Sequence, residues 1–357
     1  MPQNHNIDDP TIYARIDTSG MREHLHAFPG ECLRAWNKIS SFDLSSRYKD
    51  IDKVMVLGMG GSAIGGDMAQ SLSLLESKAI VSVLRDYHLP PFVDNRTLVV
   101  ASSYSGNTEE TLTAFNEALK TPAKKLAMTT GGRLEEVAGR ENIPIFTVDY
   151  KSAPRAAFPH SFVPLMGILQ KTGVLKDKSG DLTEAVQVMN KLASEIIETV
   201  PTQSNPAKKL AEKIFNRIAV VYGAWALTPV AGRWKAQMNE NAKTMAFAEV
   251  LPELNHNAIV GYELPPAIRE SVFVILLSSP SMNPRLKLRY EATTQVLKGA
   301  GISHEIVQAR GESPLSQMLS TVLFGDYVSY YLSIMSGIDP TPVKVIDFLK
   351  NYLTQHQ

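Results

Sequence analysis

Strands and helices alternate along most of the chain, which predicts an α/β protein built as two tandem doubly wound domains, each a parallel sheet flanked by helices. Three observations carry this. Short β-branched runs are spaced by helix-length segments in the first half, the same rhythm restarts in the second, and each half opens on an apolar strand that runs into glycine.

An amphipathic pattern predicts a helix over 21–39, leading into "KVMVLGM" (53–59) as the first strand. The runs "AIVSVLRD" (79–86), "TLVVASS" (97–103), "KLAMTT" (125–130) and "IPIFTVD" (143–149) follow as strands. Between them lie "SAIGGDMAQSLSLL", "TEETLTAFNEALK" and "GRLEEVAGR" as helices. In the second half "RIAVVYGA" (217–224) is a buried strand, followed by one long helix-like segment, "PVAGRWKAQMNENAKTMAFAEV". "SVFVILLSS" (271–279) and "ISHEIVQAR" (302–310) supply further strands around a helix in "PRLKLRYEATTQVLKGAG". The restart reads as a structural duplication. The expected division is an N-terminal helical segment over 1–40, a first domain with the glycine- and serine-rich loops over 41–163, a helical linker over 164–206, and a second domain with a C-terminal helix over 207–357. The polar "TVPTQSNPAKKLAEK" (199–213) marks the junction.

At 357 residues the chain can bury two cores. Lys+Arg and Asp+Glu balance at 36 each, so no overall field favours nucleic acid or an anionic membrane, and neither is expected as a partner. Anion binding must be local. The one cysteine, Cys32, leaves no room for an intramolecular disulfide, reads as a buried apolar residue, and suits a reducing compartment. The N-terminus shows no basic region followed by an apolar one, and apolar stretches such as "VFVILL" are too short to span a bilayer. A soluble cytoplasmic protein is the expectation.

"GMGGSAIGGD" aligns loosely with a dinucleotide fingerprint through Gly58, Gly60 and Ala63, with Arg85 and Asp86 closing a strand about twenty residues on. A plain strand-to-helix turn reads equally well. A triphosphate loop is disfavoured, because no Gly-Lys-Ser/Thr closes the motif. "ASSYSGNTEET" (101–111) shifts the balance, since it sets Ser102, Ser103, Ser105 and Thr108 around Gly106 at the start of a helix. Hydroxyls and free backbone N–H groups there make a compact site for a single phosphate, aided by the helix dipole. An N-cap cluster with Glu109 and Glu110 in the first turn would explain one hydroxyl but not four.

"GMGGSAIGGD" followed by "SSYSGNTEET" resembles the sugar isomerase (SIS) domain. With "NENAK" (239–243) and "ELNHN" (253–257) in the second half, the chain resembles the bifunctional phosphoglucose/phosphomannose isomerase family from about residue 53 to 350. The resemblance implies two SIS-type domains and a metal-independent, cofactor-free interconversion of glucose-6-phosphate and mannose-6-phosphate with fructose-6-phosphate through an enediolate.

Carried over residue by residue, the resemblance implies Glu240 of "NENAK" as the base that moves the proton between C2 and C1. His256 of "ELNHN" would open the ring, its imidazole oriented by the flanking asparagines. Arg155 in "APRAAFPHS" would face the enediolate, where a fixed guanidinium favours the transition state over the substrate. Lys350 in "VIDFLKNYL" would lie near the ring oxygen, at the edge of a stripe of Val345, Phe348, Leu349 and Tyr352 expected to be buried. Gly61, Ser62, Ser103, Ser105 and Thr108 would bind substrate through its phosphate, and Thr341 would lie near C2 or C3. A homodimer is implied, with His256 reaching into the partner's site. Rival readings are a SIS module that only binds a sugar phosphate, an isomerase of amino-sugar phosphates, and a nicotinamide-dependent oxidoreductase. A metal-dependent isomerase would need clustered ligands, whereas the eight histidines are scattered and "HLH" (24–26) puts its two on different helix faces.

Overall fold

A computed structural model describes residues 4–263 and 265–356. Two helices, α1 (Thr11–Ile16) and α2 (Met21–Ser40), precede the first sheet. Its elements follow as β1 (Lys53–Leu57), α3 (Gly60–Glu76), β2 (Ile80–Leu84), β3 (Thr97–Ser102), α4 (Glu109–Leu119), β4 (Lys124–Thr129), α5 (Gly132–Arg140) and β5 (Ile145–Thr147). Helices α6 (Phe158–Lys171), α7 (Ser179–Ile196) and α8 (Pro206–Ile214) lead to the second sheet. There β6 (Ile218–Ala224), α9 (Thr228–Asn241), β7 (Ala246–Leu251), α10 (Pro266–Arg269), β8 (Val272–Ser278), α11 (Pro284–Gly299) and β9 (Ser303–Gln308) alternate before α12 (Pro314–Met335) and α13 (Lys344–Gln355).

Every strand pair is parallel. The strand orders are β2-β1-β3-β4-β5 and β7-β6-β8-β9, so in both sheets the first strand lies between the second and the third. That shared order is the duplication the sequence hinted at. It also places a topological switch point between β1 and β3, where ligands of open α/β sheets bind outside the carboxyl ends of the strands. Register aligns Leu57 with Ala101, bringing the glycine loop after β1 and the serine loop after β3 side by side.

β3 and β8 are buried on both faces, as strands of a covered parallel sheet must be. One apolar core runs from Ile7 to Met335, and a second lies under α4 and α5 on the other face of the first sheet. The stretch expected as a linker is helical and packed: α6 lies on α2 and α3, and α7 on α12. α3 also meets α9, joining the two halves.

Two expectations are corrected, and one helix is added. The long segment after β6 is not one helix, because α9 stops at Asn241 and "AFAEVL" pairs with β6 as β7. β7 is an edge strand with only Ala246 and Leu251 buried, so it lacks the apolar run that marks the central strands. α12, which the sequence reading did not place, is buried around its whole circumference and therefore shows no amphipathic period. The stripe expected to be buried on α13 faces solvent, with Val345 74% and Phe348 64% exposed and Leu349 and Tyr352 about half so. Among the described residues, no helix is long and apolar enough to cross a membrane.

Candidate active site between the two sheets

Arg155 precedes α6 in the chain yet lies against the second half, 4% exposed. Its Nε donates to Asn241 Oδ1 at 2.6 Å, and its Nη2 to the carbonyls of Pro340 (2.6 Å) and Thr341 (2.9 Å). Nη1 is left facing Glu240 Oε2 at 3.4 Å. Burial lowers the Arg155 pKa from its ordinary value and the Glu240 carboxylate opposes that shift. Three fixed acceptors thus orient the cation before any charge develops nearby, which is the arrangement that stabilises an anionic intermediate without reorganisation.

A further layer holds Arg155 itself. Its carbonyl accepts from Arg233 Nη2 at 3.1 Å, and Arg233 is paired at 2.6 Å with Asp326 on α12. Gln237 donates to the same carboxylate, and Asn241 donates to Ser329 Oγ, so α9 and α12 are locked together under the site. A charge pair this deeply buried requires its hydrogen bonds satisfied, and both partners have them. Thr341 is present through its carbonyl; its Oγ1 is buried without a hydrogen-bond partner.

The glycine loop reaches the same place. A Cβ on Gly61, in the first turn of α3, would lie 3.3 Å from the carbonyl oxygen of Pro154 and 3.6 Å from Arg155 Cα. Ser62 is buried and lines a small cavity with Ser102, Pro154 and Ser161. Across the switch point, Ser103 Oγ and Thr108 Oγ1 share a hydrogen bond at 2.8 Å. Thr108 occupies the N-cap of α4 but its side chain makes no cap bond, so the hydroxyl that would serve an N-cap is turned to Ser103 instead. Ser105 is exposed at the tip, its Oγ accepting from Asn107 N. Gly106 makes this turn possible: at φ +68° a Cβ there would meet Gly131 O at 1.8 Å.

The second half contains the counterpart, "SSPSMN" (278–283), and it is closed. Ser279 Oγ donates to Gln317 Oε1 at 2.5 Å, Gln317 Nε2 donates to Ser281 Oγ, Asn283 caps α11, and Pro284 at the first helical position has no N–H. Only the first loop keeps hydroxyls beside a helix start that no side chain caps.

Two expected residues are not brought to Arg155 and Glu240 within the chain. His256 is exposed, in a 3₁₀ turn (Glu253–His256) after β7. Its neighbours do not orient it, because Asn255 donates to Thr293 Oγ1 and Asn257 to Glu253 Oε1. Lys350 is exposed on α13. The reading also missed Asn241, Arg233, Asp326 and Lys243; of these Asn241 and Lys243 stood in the quoted "NENAK", while Arg233 and Asp326 are polar residues in helices with no local signal.

His24 and His26 diverge, to Tyr150 OH and to Glu198. Among the described residues, no three His, Cys, Asp or Glu side chains are grouped to hold a metal ion.

Fold and loops define a protein of the SIS class. The family model for the bacterial phospho-glucose isomerase C-terminal SIS domain matches residues 203–353. A solved structure of a hypothetical protein from Thermus thermophilus superposes with TM-score 0.74 at 17% identity, covering 98% of this chain and 93% of that one. The bifunctional phosphoglucose/phosphomannose isomerase of Caldicellulosiruptor bescii is 40% identical, across 94% of this chain and 99% of the relative. That of Thermoplasma acidophilum is 34% identical, across 94% and 100%. The chain belongs to the bifunctional phosphoglucose/phosphomannose isomerase family.

Proposed function

We propose that the protein interconverts glucose-6-phosphate and mannose-6-phosphate with fructose-6-phosphate through an enediolate. The observation that carries the site reading is the Arg155–Glu240 contact, made between the two halves beside the first turn of α3. Glu240 takes the C2 proton of the open-chain aldose and returns it to C1, while Arg155 Nη1 faces the oxyanion that forms. The enediolate has no stereocentre at C2, so one site serves both epimers. We place Thr341 beside C2 or C3, its carbonyl on Arg155 and its Oγ1 with no protein partner to give up. Phosphate is held by Ser103, Ser105, Thr108 and the start of α4, with Gly61 and Ser62 closing the other side.

His256 and Lys350 complete the site by ring opening and by binding the ring oxygen, and we assign the protein a homodimer in which His256 enters the partner's site. The exposed apolar stripe on α13 and the exposure of His256 support an assembly that covers both. The single cysteine, buried and unpaired, fits a reducing cytoplasm.

A coupled assay offering glucose-6-phosphate, mannose-6-phosphate and glucosamine-6-phosphate tests the substrate assignment. Fructose-6-phosphate should form from the first two, with activity surviving prolonged EDTA treatment. Turnover of the amino sugar alone would move the protein to a different isomerase.

The phosphate loop is tested by Ser103→Ala combined with Thr108→Ala. The double variant leaves neither hydroxyl orphaned, so the fold should tolerate it. Hydrogen bonds to a charged group contribute about 1.5–3 kcal/mol each, so KM should rise roughly a hundredfold or more. An unchanged KM places the phosphate elsewhere.

A further inference from the structure

Lys243 closes α9 in a left-handed conformation, φ +52°. Glycine is the usual residue at such a helix end, and a side chain there costs about 1–2 kcal/mol. A lysine in a backbone suited to glycine points to work done by its side chain. That side chain folds back over the site. Its Nζ lies 2.5 Å from the carbonyl oxygen of Glu240, 2.9 Å from that of Pro340, and 3.4 Å from those of Asn241 and Asp339. An ammonium has three protons, and four carbonyls surround it.

The Pro340 carbonyl is the one that also accepts Arg155 Nη2 at 2.6 Å, so two cations from opposite halves converge on a single backbone oxygen. The Asp339 carboxylate, meanwhile, is held by Thr18 and Ser19 near the start of α2, and by Thr341 N. Residues 339–341 are therefore pinned from three directions. They also carry the acceptors that aim the guanidinium, and Glu240 lends its own carbonyl to the same ammonium.

We propose that Lys243 is a positioning residue of this site: its ammonium latches residues 339–341 onto the end of α9, and so holds the Arg155 guanidinium in register with the Glu240 carboxylate. The proposal rests on the placement of Arg155 and Glu240 at the reacting carbons. With every proton directed at a carbonyl, Lys243 is neither the base nor a nucleophile.

The latch has a pH limit. Burial and the neighbouring Arg155 bring the Lys243 pKa down to about 8, against the pull of Asp339 and Glu240. Those three charged groups face it, and Arg217 lines the adjoining groove. As pH rises through that value the ammonium loses its charge and one donor, so the latch weakens and turnover should fall. The fold should not weaken with it. This group binds its proton less tightly folded than unfolded, so between pH 8 and the ordinary lysine value of 10.5 its contribution to stability rises with pH.

Lys243→Gly and Lys243→Arg test the latch, with kcat and KM measured from about pH 6.5 to about pH 9.5 and thermal melts at each pH. Lys243→Gly relieves the backbone, so its Tm should equal or exceed that of the wild type while kcat at neutral pH falls roughly ten- to a hundredfold and KM changes little. The alkaline loss of turnover should vanish from its profile. Lys243→Arg keeps the charge and should hold a flat kcat across the same range. Wild-type kcat in Lys243→Gly, a fall in its Tm that accounts for the lost activity, or the same alkaline limb in both variants would each overturn the proposal. Glu240→Gln assayed in parallel separates the two readings: if it is inactive while Lys243→Gly is normal, only the latch fails, and if it is fully active, the site reading fails with it.

Discussion

Glu240→Gln should bind sugar phosphate nearly as well as the wild type while kcat falls by about 10²–10⁴, the usual contribution of a general base. Glutamine keeps the shape of the side chain and an oxygen for Arg155 Nη1, which sits 3.4 Å from the carboxylate. What it cannot do is accept a proton from carbon. Because Asn241, Pro340 and Thr341 hold Arg155 independently of Glu240, the guanidinium should stay where it is, and the loss should appear in kcat with KM almost unchanged. Exchange of the C2 hydrogen with solvent tritium should stop as well. Exchange at near the wild-type rate would remove Glu240 from the proton path.

The second large effect is a gain. If the protein forms the proposed homodimer, Glu240→Gln and His256→Ala should each be inactive, yet unfolding and refolding the two variants together should restore roughly a quarter of wild-type activity. If His256 of one chain serves the site holding the other's Glu240, half the dimers are mixed under unbiased pairing. Each mixed dimer then carries one site with both lesions and one with neither. The reading rests on His256 being exposed and having no flanking side chain to orient it within its own chain. A mixture that stays inactive, with mixed dimers confirmed by mass, would return the histidine to its own chain and leave the isomerase assignment intact.

The two loops were legible because their signals are local. A strand, a glycine turn and a helix start announce themselves within about ten residues, and parallel pairing of β1 with β3 then brings both loops to one edge. Glu240 and Arg155 became legible only through a family resemblance, since a glutamate and an arginine carry no periodic signature. β7 was read as helix because an edge strand, with half its face in water, lacks the apolar run that identifies β3 and β8. α12 escaped notice for the opposite reason: buried on every side, it presents no polar stripe from which a helical period could be read.

By itself the sequence determined the α/β class, the duplicated rhythm and the serine-rich loop before a helix, all of which follow from hydrophobic period and turn chemistry over short windows. Only the tertiary structure decided which loop stays open, closing the one over 278–283 with Gln317 and leaving the one over 102–108 with Ser103 and Thr108 bonded to each other. It also decided how the guanidinium is aimed. The acceptors on Arg155 come from Asn241, Pro340 and Thr341, 86 to 186 positions away, and two of the three are backbone carbonyls, a group every residue has. No residue type marks a carbonyl that will meet a buried cation, so that part of the site exists only once the chain has folded.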